Sequence, residues 1–552
     1  MRGMPRIALF LFSMVVFLCV SALFWSWIPD DAYISFQYAR SLAEGDGLVF
    51  NPGERVEGFS NLLWTLLLGL VARMGGSIEL AARVLSLAGG LMSLWLILLL
   101  LGSRTASSAG RSTGPGPWIL PAAMAAAASF FPLAFYSTSG LETTFYLCCL
   151  LLGAVCHLTA VRRREPSFNY VSLLAFLIAS LSRPEGVAFL VLAMAFTIWS
   201  RRRGGSAVLL FASLAAGLLY VAVIVLKQQY FGTVVPNTYF AKPGASIEYT
   251  EPLVRGVRYL GRFFGTSGVL LLLPFALTPP RAGENRYAWL YLWCFAIGQL
   301  GFIIFVGADV LRFDRFAVPL FPWLLVLAVL GASRLASTAR LKWGFITALA
   351  VVVCLSGFRA HRAHSKYCEH DWMHARSHRA IGQFIGRMGA APDKQRAVVA
   401  NEIGAVRYYS RRPVIDMLGL TDDTISAIRY QSFKTYGIGS SPWSAVSVCR
   451  YLLDRNPAYV LLPSSEPLSL DDRTRHRSTM HPLWYAILTE PRMESHYYPS
   501  CVFEIHKRKF LYLFVRNDIL PETAPTALPQ QRCLDARWIT AAGRGASDGT
   551  TR

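Results

Sequence analysis

Two adjacent carboxylates stand in the segment Pro29-Asp30-Asp31-Ala32-Tyr33-Ile34-Ser35-Phe36-Gln37-Tyr38-Ala39-Arg40. A carboxylate beside a hydroxyl can take its proton as a general base, and two together can hold a divalent cation. The plainer reading is structural: acids at a helix start cap the first turn and oppose its dipole. What favours chemistry is the company these acids keep. Further on come Asn51-Pro52-Gly53-Glu54-Arg55-Val56-Glu57-Gly58-Phe59-Ser60-Asn61, Ser139-Gly140-Leu141-Glu142-Thr143 and Arg183-Pro184-Glu185. The segment from Tyr230 to Lys242 contains Asn237, and a last group holds Asp309, Arg312, Asp314 and Arg315. Each of these polar turns lies beside an apolar run, where charge is costly and usually marks a site or a pathway.

The elements that must position these residues are membrane helices. The chain has 552 residues, 54% hydrophobic and only 16% charged, with a formal net charge of +21. An ordinary soluble chain carries about 25% charged residues. This balance excludes a disordered chain and a small disulfide scaffold, and it argues against a soluble enzyme. A crossing helix needs about 20 apolar residues. Runs at 7–28, 80–102, 117–136, 141–161, 170–181, 186–199, 206–227, 266–280, 287–306, 315–333 and 342–357 are read as about 11 spans. The first is read as an uncleaved anchor, because no small-residue cleavage site precedes Trp25-Ser26-Trp27. Leu62–Arg73 is too short to cross and is expected in the interface or as a re-entrant piece.

Arginine placement orients the chain. Arg104 and Arg111, Arg162-Arg163-Arg164, Arg201-Arg202-Arg203, Arg281 and Arg286, and Arg334, Arg340 and Lys342 all fall in alternate loops. These basic loops are expected on the cytoplasmic side, with the N-terminus. The opposite loops, 29–79, 137–140, 182–186, 228–265 and 307–314, then gather the polar turns on one extracytoplasmic face. The chain after Phe358 carries 27 basic and 18 acidic residues and nine of the ten histidines. It reads as an extracytoplasmic α/β domain over 358–520. Strands are predicted at Ala397–Ala400 and Tyr459–Leu462, a helix at Val446–Asp454, and a strand pair across Phe503–Phe514. Residues 521–552 are read as a loose tail. The whole is a mostly α polytopic bundle over 1–357, with its first external loop at 29–79, followed by that domain.

These placements suggest a division of labour. A lipid-phosphate sugar donor needs cations at headgroup level, for which Arg183, Lys242, Arg312 and Arg315 are candidates. The bland alternative for each is an interface anchor with a snorkelling side chain. An acceptor hydroxyl needs a base, for which Asp30, Asp31 and Glu142 are placed, and carboxylates also stabilise an oxocarbenium-like centre. Tyr33, Glu57, Asn61, Glu185, Asn237 and Asp309 are candidates to hold the substrates. His370, His374 and His378 share one helical face, a spacing that can bind metal, but a wet juxtamembrane helix is the simpler reading. Cys368, Cys449, Cys501 and Cys533 fall in the outer domain and allow three pairings.

The string Asp30–Arg40, with Gly47-Leu48-Val49-Phe50-Asn51-Pro52-Gly53 and Val56–Trp64, resembles the first external loop of GT-C membrane glycosyltransferases. The nearest likeness is to polyprenyl-phosphate-dependent arabinofuranosyltransferases, a group that includes mycobacterial terminal β-(1→2) enzymes and pilin arabinosyltransferases. Ser139–Thr143, Ser182–Gly186, Gly232–Lys242, Asn401-Glu402-Ile403-Gly404-Ala405 and Asp416-Met417-Leu418-Gly419-Leu420 resemble the same group. The resemblance implies an inverting pentosyl transfer from a polyprenyl-phosphate sugar to a cell-envelope glycan or protein acceptor, in a bacterial plasma membrane. It places the catalytic acid at Asp30 or Asp31. No organic cofactor and no nucleic acid partner are expected, membrane lipids are, and use of a divalent cation is open. A flippase for a lipid-linked sugar, or a non-catalytic envelope-assembly scaffold, are the competing readings. The first would place charge near the bilayer midplane and show an inverted repeat.

Overall fold

The computed structural model describes residues 6–102, 118–201, 208–244, 252–280, 286–335, 339–388, 396–519 and 538–539, apart from positions 308, 310, 439, 466–467, 469–472, 478–479 and 507–508. The tail beyond 520 therefore lies almost wholly outside the described residues. By its internal packing the chain forms two units. One comprises Met1–Ile28, Asn61–Gln229 and Thr250–Tyr367; the other comprises Pro29–Ser60, Tyr230–Tyr249 and Cys368–Arg552.

The first unit is helical and apolar, and the protein is a multi-pass membrane protein. Among the described residues, six helices are long and apolar enough to cross a bilayer: Ile78–Gly102, Thr143–Arg163, Val208–Phe231, Arg286–Val306, Arg315–Arg334 and Arg340–Ser365. Shorter apolar helices cover Arg6–Ala22, Leu62–Arg73, Ile119–Ser129, Ser167–Ser182 and Gly186–Ser200. Helix occupies all eleven predicted runs, and Leu62–Arg73 is a helix of the predicted 12 residues. The run 266–280 differs from a straight span. Its helical piece, Val269–Ala276, is bent by 82° from the amphipathic helix Pro252–Ser267. The bend falls at Gly268, whose φ of +72° only glycine adopts without strain.

In this unit Leu320–Arg334 is the innermost helix, with nearly every side chain buried, whereas Val208–Phe231 buries only Leu209, Ser213 and Ala216. Small residues and hydroxyls join the helices, as expected where lipid removes the hydrophobic drive for association. A methyl on Gly89 would lie 2.8 Å from the Thr144 and Phe145 backbone, so glycine permits this helix pair. Beside it Ser86 Oγ donates to the Leu141 carbonyl at 2.7 Å and Thr144 Oγ1 donates to the Ser86 carbonyl at 2.5 Å. These bonds fix the turn that carries Glu142.

The second unit is α/β. Its strands are β1 (Val398–Ala400), β2 (Val414–Asp416), β3 (Tyr459–Ser464), β4 (Tyr497–His506), β5 (Lys509–Arg516) and β6 (Trp538–Ile539), in the order β2-β1-β3-β5-β4-β6. β1 is parallel to β2 and β3, and the remaining pairs are antiparallel. β1 and β2 are buried throughout and β3 nearly so, which explains the apolar runs Val398–Ala400 and Tyr459–Leu462. One face packs Val399, Ile415, Val460, Leu462 and Phe514 against helices Asp423–Tyr436, Pro442–Asp454 and Pro482–Thr489. Ser441 caps Pro442–Asp454, its hydroxyl accepting from Ser444 N–H at 3.2 Å.

Residues 29–60 are knitted into this unit. The Asn51 amide acts like a strand residue on the outer edge of β2: its Nδ2 donates to the Val414 carbonyl at 2.9 Å, and its Oδ1 accepts from Val414 N–H at 3.0 Å. Arg407 Nε donates to the Phe50 carbonyl at 3.1 Å, and the Arg40 guanidinium lies 3.5 Å above the Tyr408 ring.

Candidate active site

The predicted site residues divide between the two units. In the second unit, helix Asp30–Glu44 begins with both acids in its first turn, but its N-cap is Pro29 and neither acid caps its own helix. Asp30 reaches another helix instead. Gly404 N–H donates to Oδ2 at 2.8 Å and Ala405 N–H donates to Oδ1 at 2.7 Å, at the start of helix Gly404–Ser410. The approach requires Gly404, because a Cβ there would lie 2.1 Å from the Asp30 carbonyl oxygen. Asp31, next along the same turn, is exposed.

Burial raises the Asp30 carboxyl, and the Glu402 carboxylate raises it further. The two backbone N–H bonds oppose this, and the net position is about 7. Asp30 is thus a tether that can hold or release a proton near neutrality, while its neighbour faces outward. His378 Nε2 lies 3.5 Å from Glu402 Oε2, with the imidazole buried. The side chains of His370 and His374 lie outside the described residues.

Other predicted residues of this unit are internal. Tyr33 is buried, its hydroxyl 3.3 Å from that of Tyr409 and its ring against Phe36 and Tyr408. Glu57 is buried, and its carbonyl accepts from Asn237 N–H at 3.0 Å. Asn237 Nδ2 donates to the carbonyls of Gly419 and Leu420 at 2.7 and 3.1 Å, and its Oδ1 accepts from Ser426 Oγ at 2.6 Å. This makes Asn237 the clasp of the Asp416–Leu420 loop. Inside that loop Asp416 accepts from Leu418 N–H at 2.7 Å and Thr421 N–H at 3.0 Å. Burial lifts the Asp416 carboxyl to about 6 against these bonds. The Lys242 side chain lies outside the described residues.

The first unit holds a buried ion network. Glu142 Oε1 accepts from Arg183 Nη1 at 2.6 Å, and Oε2 accepts from Asn61 Nδ2 at 2.9 Å. Arg183 Nε also donates to Glu185. Burial would raise the Glu142 carboxyl, but Arg183, helped by Arg315 and Asn61, holds it below its ordinary value. Arg315 engages Asp309 in a two-pronged pair at 2.7 and 3.3 Å. Arg312, in the same loop, is exposed. Sequence reasoning gave Asp314 no role. It is buried, stands at φ +58°, and is held by Arg359 and by Arg262 at 3.2 Å. Only the Arg-rich end of helix Ala339–Arg362 hinted at such a partner.

Arg183 and Arg315, phosphate candidates of the sequence, are both paired with buried carboxylates. Asn61 and Glu185 likewise belong to this scaffold. Cys449 is a buried free thiol, and the side chains of Cys368, Cys501 and Cys533 lie outside the described residues. Among the described residues, no group of three or more His, Cys, Asp or Glu side chains stands close enough to hold a metal ion.

The fold is of GT-C type. The crystal structure of ArnT from Cupriavidus metallidurans bound to undecaprenyl phosphate is similar with a TM-score of 0.56 at 14% identity, covering 94% of this chain and 99% of that one. Archaeal oligosaccharyltransferase AglB from Archaeoglobus fulgidus, in complex with an inhibitory peptide and a dolichol-phosphate, gives 0.51 at 12% identity, covering 94% and 75%. In sequence, the terminal β-(1→2)-arabinofuranosyltransferase of Mycobacterium tuberculosis (strain ATCC 25618 / H37Rv) is 32% identical over 269 residues, 46% of this chain and 40% of that protein. The protein of the same name from Corynebacterium glutamicum is 28% identical over 362 residues, 56% and 49%. The chain thus spans less than half the length of these curated relatives. Residues 369–511 match the family described as Domain of unknown function (DUF8728).

Proposed function

We propose that this protein is a membrane glycosyltransferase that moves a sugar, arabinofuranose, from a polyprenyl-phosphate donor to a glycan or protein acceptor outside the cytoplasm, with inversion. The observation that carries this reading is the unequal fate of the two acids. Asp30 spends both carboxylate oxygens on the Gly404 and Ala405 N–H groups, and Asp31 is exposed on the same helical turn. Asp31 is therefore the base that takes the acceptor hydroxyl proton as the new glycosidic bond forms and the lipid phosphate departs. Asp30 is a positioning residue that fixes the helix start. Exposed Arg312 is assigned to the donor phosphate, and buried Glu142 and Arg183 to the framework of the same unit.

The likeness to proteins named arabinofuranosyltransferase supports the pentose, and the GT-C fold supports a lipid-linked donor. The same reading puts the basic loops and the N-terminus in the cytoplasm of a bacterial cell and the α/β domain outside its plasma membrane. The test is transfer in vitro by purified protein from polyprenyl-phosphate arabinofuranose, with the mannose and aminoarabinose analogues as competitors, with and without EDTA. Asp31→Asn is expected to abolish transfer in a protein that still folds. Undiminished transfer by Asp31→Asn and by the Asp30→Asn/Asp31→Asn double variant would refute the assignment.

A further inference from the structure

A cleft of about 300 Å³, counting its open mouth, lies in the α/β unit. Its rim is His378, Asn401 and Glu402, and its floor is Leu461, Pro463 and Leu511. The sheet explains why a cleft forms here. β1 ends at Ala400, and the chain then crosses by helix Gly404–Ser410 to β2 on one side, whereas β3 pairs with β1 on the other. Nothing leaving β1 covers its junction with β3, and such points at the carboxyl ends of parallel strands are where α/β sheets bind ligands. The register builds the floor. Leu461 and Pro463 are two apart on β3, so they share a face, and Leu511 of β5 stands opposite Pro463. The alternate residues Val460, Leu462, Tyr512 and Phe514 belong to the core on the other face.

The lining selects a class of ligand. Asn401 brings an amide that both donates and accepts, and Glu402 a carboxylate that accepts, with the His378 imidazole 3.5 Å from it. Hydroxyl groups match the amide and this carboxylate–imidazole pair, and the apolar floor suits the C–H face of a sugar ring. Among the described residues the cleft lining includes a carboxylate and no Lys or Arg, which disfavours a lipid phosphate. Deepening the function proposed above and resting on it for the word acceptor, we infer that this cleft is a subsite for one neutral sugar residue of the acceptor glycan.

The test uses the full-length protein in nanodiscs and a probe whose binding needs no turnover, an arabinofuranose oligosaccharide. Binding is followed by saturation-transfer NMR, with a malto-oligosaccharide and decaprenyl phosphate alongside. Asn401→Ala and His378→Asn are each expected to weaken oligosaccharide binding by about tenfold or more, with decaprenyl phosphate unable to compete. Hydrogen–deuterium exchange on the unmutated protein is the second measurement, independent of whether variants fold. Added oligosaccharide is expected to protect 398–404 and 459–464. Absence of binding by either oligosaccharide, unchanged affinity in both folded variants, competition by decaprenyl phosphate, or protection confined to other segments would overturn the inference. Normal sugar transfer by Asp31→Asn alongside cleft-dependent binding would sink the catalytic assignment and leave the cleft standing.

Discussion

Removing Arg183 should harm the fold far more than removing Glu142, although the two are partners. Arg183 stands between two acids, Glu142 and Glu185, and all three side chains are at most 8% exposed. Arg183→Met leaves two buried carboxylates facing each other. Arg315 also acts on Glu142, but it is engaged with Asp309. Breaking a buried pair so that charge is left uncompensated costs about 3–5 kcal/mol. Glu142→Gln is gentler. The Arg183–Glu185 pair survives it, but the single amide oxygen can accept from only one of Arg183 and Asn61, and the new NH2 faces the other donor. Its cost should be that of one buried donor left unmet, about 1–3 kcal/mol. The two single variants should therefore differ by about 2 kcal/mol. Replacing all three as Glu142→Leu/Arg183→Met/Glu185→Leu should recover most of the Arg183→Met loss, because no buried charge of the set remains. SDS titration of the purified protein, followed by tryptophan fluorescence, measures these differences. Equal costs for the two single changes, or a triple variant as weak as Arg183→Met, would refute this charge count.

The remaining predictions concern the acid pair and its contact. Asp31→Asn should lower transfer by about 10²–10⁴-fold, the usual worth of a general base, with an unchanged melting curve because the side chain is exposed. Asp30 should make stability fall as pH rises. Its carboxyl binds a proton more tightly folded, at about 7, than unfolded, at 3.8, so its contribution is complete below the lower value and lost through the upper one. Between about pH 5 and about pH 7 the change is at most ~3 kcal/mol. Asp30→Asn should flatten that part of the melting profile, and an unaltered slope would count against the Glu402–Asp30 interaction. Gly404→Ala should cost about 1–3 kcal/mol, because its methyl would press on the Asp30 carbonyl oxygen. Melting at the wild-type temperature would show that this contact yields freely.

Elements set by local pattern were legible in the sequence. Ser167–Ser182 and Gly186–Arg201 break at the Arg183-Pro184-Glu185 turn, since proline and glycine interrupt a helix whatever surrounds it. The buried strands β1 and β3 showed as short apolar runs. Partnerships across long separations were not legible. Asn51 bonds Val414 across 363 positions, and Asn237 bonds Gly419 across 182. No periodicity records which backbone an amide will meet. The bend at Gly268 was missed because 266–280 is apolar enough to cross, and hydropathy carries no backbone angle.

The same limit explains why a polar population is easier to read than the duties of single residues. Polar groups beside apolar runs stand out as a population, because the cost of charge near lipid is a property of composition. Their individual roles depend on what each side chain has already spent. Arg183 and Arg315 have the charge that a phosphate wants, but buried carboxylates have claimed it. Asp30 and Asp31 are chemically identical neighbours, and a helix turn of about 100° per residue separates their fates. One direction meets the backbone N–H groups of Gly404 and Ala405; the other meets solvent. An acid that holds two amides in place cannot release them to chase a substrate proton without loosening the helix it anchors. The neighbour is exposed, and that division of duty is what the Asp30→Asn and Asp31→Asn pair measures: stability and its pH profile should follow the first, turnover the second.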